Sequence, residues 1–77
     1  MKEVTLLGLE NGKLRFSLSG EIDAPRADGF EKAVAEEYAK TPADILFECE
    51  ALEFIDSTTL GTFVKILKKV KSDGRSM

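Results

Sequence analysis

Four consecutive side chains carry oxygen at residues 56–59: Asp56, Ser57, Thr58 and Thr59. An apolar stretch ends just before them at Phe54-Ile55, and an apolar helical pattern begins just after them at Leu60. Three kinds of chemistry are open to such a group. As a helix cap, Asp and Ser oxygens accept the first unpaired backbone N–H groups. As a modification site, a hydroxyl at a helix start could carry a phosphate that the helix dipole favours. As a nucleophile, Ser57 would need a base, and the chain contains no histidine. That absence removes the serine–histidine triad, imidazole base chemistry and most transition-metal sites. No Gly-x-Ser-x-Gly elbow surrounds Ser57, and the lysines, the remaining candidate bases, cluster toward the far end of the helix. Catalysis is therefore the weakest of the three. The chain reads as a non-enzyme with no metal and no cofactor.

The elements that position this group fit one small domain, since the chain has 77 residues. A core of that size is limited, so stability is expected to be marginal without a metal, a disulfide or a partner. The apolar fraction is 43% and the charged fraction 32%, the mix of a soluble globular domain. A net charge of −3 argues against a general grip on nucleic acid or on an anionic membrane. The longest apolar run, Ile45-Leu46-Phe47, is far too short to span a membrane, and residues 1–20 lack a signal peptide's apolar centre. A cytoplasmic location is the expectation. Cys49 is the only cysteine, so no internal disulfide forms; alternating with Ile45 and Phe47, it is expected to be a small buried hydrophobe.

Residues 4–10 and 13–19 suit two strands, joined by Asn11-Gly12, the strongest short-range hairpin signal. In the second, Leu14, Phe16 and Leu18 alternate with Arg15, Ser17 and Ser19, which predicts one core face. Residues 24–40 read as a helix with Pro25 in its first turn and Ala27, Phe30, Val34 and Tyr38 on one stripe. Residues 44–49 predict a third strand, whose apolar run suggests cover on both faces, as in a central parallel strand. Strand two, helix one and strand three then form a right-handed βαβ unit. Residues 57–73 predict a second helix, with Leu60, Phe63, Val64, Leu67 and Val70 inward and Lys65, Lys68 and Lys69 on a solvated face. Gly74 suits its left-handed terminus. The expected fold is α/β, a mixed sheet with packed helices in the order β-β-α-β-α. A helix start at the carboxyl end of a parallel strand is also where open α/β sheets place their binding sites.

Two blocks carry a family resemblance. The stretch FIDSTTLGTFVKILKKVKSDG resembles the signature of the STAS domain, the family of bacterial anti-sigma factor antagonists. That signature is an apolar residue, Asp-Ser, a small residue, Gly, Leu and often Gly, then an amphipathic helix with a basic end. The second block, LSGEIDA at residues 18–24, is similar to the family's Leu-x-Gly-Glu-Leu-Asp before the first helix. The spacing of the blocks and the order of elements agree with it.

The resemblance implies a partner switch. Family members of this type bind an anti-sigma factor that is also a serine kinase and so displace the sigma factor it holds. The kinase phosphorylates the serine after the Asp of the signature, here Ser57, and a PP2C-type phosphatase reverses the change. By the same match Asp23, Asp56, Ser57, Thr58 and Thr59 are expected to be partner-binding. The alternative reading is a non-phosphorylated STAS scaffold subunit of a lipid-transport or sensory complex; a phosphorylatable Ser57 favours the switch. Two departures stand out. Thr59 occupies the place where the family usually has glycine, which would add bulk near the partner surface. The family domain also continues after this helix with another strand and further helices, roughly 30 residues more by the usual domain size. Residues 1–77 therefore read as one STAS-like domain short of that C-terminal part: a truncated domain, a fragment, or a variant that completes its sheet as a homodimer or swapped assembly.

Overall fold

A computed structural model describes residues 1–77. Strand β1 (Val4–Glu10) turns through Asn11-Gly12 into β2 (Lys13–Ile22), helix α1 (Ala24–Lys40) crosses to β3 (Asp44–Ile55), and α2 (Ser57–Ser72) follows. The three strands form one mixed sheet in the order β1-β2-β3, with β1–β2 antiparallel and β2–β3 parallel. At the hairpin, Asn11 (φ 53°) and Gly12 (φ 77°) both take the left-handed conformation that a two-residue turn between twisted strands demands.

Both helices cover one face of the sheet. Leu14, Phe16, Leu18 and Ile22 of β2 and Ile45 of β3 are buried against Phe30, Val34 and Tyr38 of α1 and Ile66 and Val70 of α2. Phe47 ties all the layers together, with ring centroids 5.7 Å from Phe16, 5.8 Å from Phe30 and 5.2 Å from Phe63. Edge-on and tilted pairs of this kind are worth about 0.5–1.5 kcal/mol each beyond the area they bury. On the opposite face, Arg15 is ion-paired to both Glu10 and Glu48, which joins the three strands.

Four expectations are corrected. The central strand is β2, whereas β3 is an edge strand, and Leu46 on it is exposed. β3 also runs on to Ile55, since two register shifts against β2, between Ser17/Ser19 and Gly20/Glu21, let it continue past the polar Glu48–Glu53 stretch. Cys49 lies in that irregular part and is exposed. In α2 the buried residues are Thr59, Thr62, Ile66 and Val70, while Leu60 and Val64 face solvent. The inward face is turned by about one residue from the purely apolar stripe.

At the far end, α2 stops in a two-bond reversal: Gly74 N–H donates to Lys71 O (2.9 Å) and Arg75 N–H to Val70 O (2.8 Å), with Gly74 at φ 78°. The chain then turns along β3, where Ile45 N–H donates to Ser76 O (2.9 Å) and Ser76 N–H to Asp44 Oδ1 (2.9 Å).

Candidate functional site

The parallel register pairs Ile22 with Ile55, the last residues of β2 and β3. The next residue on each strand is an aspartate that begins a helix: Asp23 stands at the N-cap position of α1 and Asp56 at that of α2, with nearly the same backbone (φ −103°, ψ −177° and φ −100°, ψ −179°). Two helix starts are thus brought side by side at the carboxyl end of the sheet. Their unpaired N–H groups need acceptors, and the two aspartates supply them unequally.

Asp56 serves both helices. Its Oδ1 accepts from Thr59 N–H at 2.9 Å, capping α2, and its Oδ2 accepts from Ala24 N–H at 2.7 Å, the first residue of α1. These bonds favour the charged carboxylate, the Thr59 N–H most, and hold its pKa below the usual aspartate range. Asp23 makes no side-chain cap. Its Oδ1 instead accepts from Arg26 Nη1 at 2.9 Å, and Arg26 Nε lies 3.6 Å from Glu3. The missing cap of α1 is therefore filled from the neighbouring helix.

Ser57 and Thr58 occupy the first turn of α2 and are exposed. Thr58 O accepts a hydrogen bond from Thr62 Oγ1 at 3.3 Å, so its backbone is engaged while its side chain is free to solvent. Thr59 differs. It is fully buried, and its Oγ1 donates to Ile22 O at 2.6 Å, closing the last carbonyl of β2. The expectation that Thr59 adds bulk at a partner surface is corrected: its side chain points into the fold. Of the residues that the sequence marks, Asp23, Asp56, Ser57 and Thr58 share one accessible rim, and Thr59 supports it from beneath. The backbone partners Ala24 N–H and Ile22 O are not legible as site groups, although the Ile22–Asp23 and Ile55–Asp56 repetition is the signal that the two helix starts are equivalent.

The rim lines no cavity. The two concavities of the molecule lie elsewhere: an apolar cleft of about 170 Å³ between α1 and α2, lined by Val34, Tyr38, Ile45, Ile66 and Val70 among others, and a polar dent beside Lys2, Glu3 and Arg26. No group of three His, Cys, Asp or Glu side chains is placed to hold a metal ion. No helix is long and apolar enough to cross a membrane. An exposed serine that lines neither concavity can be modified or contacted by a macromolecule, but it encloses no small substrate.

A three-stranded mixed sheet with two helices on one face, whose helix starts meet at a hydroxyl-bearing rim, defines a small α/β domain with its accessible polar groups on a loop end. The model of the STAS domain family matches residues 8–77, and the chain belongs to that family. Among solved structures it is similar to the anti-sigma factor antagonist SpoIIAA in its unphosphorylated form, with a TM-score of 0.76 and 16% sequence identity. The match covers 94% of this chain and 66% of that one, so the chain spans slightly less than two thirds of the length of that relative. No curated protein sequence matches it.

Proposed function

We propose that this protein is an anti-sigma factor antagonist, a phosphorylation-controlled interaction module acting in the cytoplasm. With Ser57 unmodified it binds an anti-sigma factor serine kinase and so releases a sigma factor; the kinase then phosphorylates Ser57, and a PP2C-type phosphatase restores it. Asp23, Asp56, Ser57 and Thr58 form the partner-binding rim. The observation that carries this reading is Ser57 itself: an exposed hydroxyl in the first turn of α2, directly after a capping aspartate, outside any cavity.

The physical logic of the switch is a difference between free and bound states. Phosphorylation adds about −1.5 to −2 charges at neutral pH. In the free protein the phosphate stays solvated and lies at a helix N-terminus, where negative charge is favoured. In an interface it has to be desolvated, and an uncompensated buried charge costs about 3–5 kcal/mol. Each 1.4 kcal/mol weakens binding about tenfold, so a loss of a hundredfold or more is expected. The test compares the unmodified protein, Ser57→Ala and Ser57→Asp for melting temperature and for binding to the cognate kinase. Folding should survive in all three and binding should fail in Ser57→Asp. Equal binding by Ser57→Asp, or kinase labelling of another residue, overturns the proposal.

A further inference from the structure

We propose that Asp56 is a positioning residue that transmits the state of Ser57 to the start of α1. This deepens the switch reading, on which it rests for the identity of the modified serine. The geometry that carries it is the two-helix bridge, with Asp56 Oδ1 on Thr59 N–H at 2.9 Å and Oδ2 on Ala24 N–H at 2.7 Å. Helix α1 has no side-chain cap of its own, because the Asp23 carboxylate is turned to Arg26. Ala24 N–H therefore has the carboxylate of another element as its acceptor. A second bond at the start of α1 runs from Arg26 N–H to Asp23 O at 2.8 Å, within the same loop and helix.

Ser57 is the next residue after Asp56 and the first of α2. A phosphate there acts on Asp56 in two ways. It repels the adjacent carboxylate, and it offers oxygens to the N–H groups at the start of α2, among them the Thr59 N–H that the carboxylate now caps. Both effects draw Asp56 away from its present position. The bond least able to follow is the one to Ala24, because it leaves the helix that Asp56 caps and crosses to a separate element. Negative charge on Ser57 thus loosens the start of α1, and the rim changes shape as well as charge. By linkage the coupling is reciprocal: removing the charge of Asp56 makes a negative residue 57 easier to accommodate.

The experiment is amide hydrogen exchange followed by NMR on the intact 77-residue chain, in the absence of any partner. Proteins compared are unmodified, Ser57→Glu, Asp56→Asn and the double variant. Exchange at Ala24 should quicken by about fivefold or more in Ser57→Glu, the low end of ordinary coupling factors. Core amides such as Phe16 and Val34 should keep their rates, which separates a local release from general destabilisation. In the Asp56→Asn background, Ser57→Glu should no longer change Ala24 exchange, a result that a purely structural role for Asp56 would not produce. If Ser57→Glu leaves Ala24 unaffected while Asp56 is present, or has the same effect with and without the charge of Asp56, the coupling is refuted. Failure of the switch reading is read separately, by kinase binding to Ser57→Asp, so either proposal can fall alone.

Discussion

At the scale of single residues, one carboxylate and one hydroxyl decide how the rim is held. Asp56 satisfies the N–H groups of Thr59 and Ala24, and replacing it with alanine orphans both. Loss of a helix cap alone usually costs enough to lower the Tm of a domain this small by about 4–8 °C, and Asp56→Ala should reach at least that in a thermal melt followed by circular dichroism. The pH dependence has a defined sign. The folded pKa of Asp56 lies below its unfolded value near 3.9, so its contribution is complete above that value. The contribution falls as pH drops below about 4 toward the folded pKa and is gone below both. Asp56→Asn should therefore flatten the acid limb of the stability profile. Thr59 tests the support beneath: Thr59→Val keeps the shape but leaves Ile22 O without its donor. That should cost about 1–3 kcal/mol in urea unfolding, whereas a residue lying free on a surface would show almost nothing. A run of four polar letters gave no hint of this division. The first two helical residues look outward and the third looks back at the sheet, a consequence of helical rotation that residue type alone conceals.

At the scale of elements, the ends of α1 and α2 are joined by a second polar contact. Tyr38 Oη donates to Asp73 Oδ2 at 2.6 Å, Lys69 Nζ lies 3.4 Å from the same oxygen, and the Arg75 guanidinium sits 5.9 Å over the Tyr38 ring. Burial and this bond hold the Tyr38 pKa above its usual 10.0. The folded state then keeps a proton that the unfolded chain releases, so stability is intact below about pH 10 and declines as pH rises beyond it. Tyr38→Phe should remove that alkaline decline and cost about 1 kcal/mol at neutral pH, measured by denaturant titration across pH. The hairpin, both helices and the order of elements were legible because their signals are local: Asn11-Gly12 admits one kind of turn, and Ala27, Phe30, Val34 and Tyr38 keep a strict helical period. The face of α2 was less legible. Leu60 and Val64 imitate a core stripe, while the real one joins Phe63, Leu67 and Val70 to Thr59 and Thr62, whose hydroxyls are satisfied by Ile22 O and Thr58 O. The length of β3 was hidden too, since two register shifts break the period of two on which a strand is recognised. That break is also why Cys49 is exposed although it alternates with Ile45 and Phe47.

At the scale of the whole molecule, compactness and an open edge coexist. The radius of gyration is 11.5 Å, and a compact chain of this length has about the same value. Yet β3 has β2 on one side only, and on the other side the contact begins and ends with Ser76 against Asp44 and Ile45. Past that point the edge runs to Ile55 with the exposed apolar residues Leu46 and Phe54 along it. An unpaired edge of this length is a template for another strand. It is also self-limiting, because β3 carries Asp44, Glu48, Glu50 and Glu53 and no lysine or arginine. Two copies pairing edge to edge would bring those carboxylates together, with Arg15 of each copy neutralising its own Glu48. Coulombic repulsion across such a contact is screened by salt, the Debye length shrinking from about 10 Å at 0.1 M to about 3 Å at 1 M. Self-association should therefore rise with protein concentration and rise further with salt, the reverse of an interface held by ion pairs. Sedimentation velocity over a hundredfold range of concentration at low and high salt measures both dependences. A replacement such as Glu50→Lys should shift the equilibrium toward the dimer at low salt and reduce its salt response. A single monomeric species under all these conditions would mean that the acidic residues and the two register shifts protect the edge on their own.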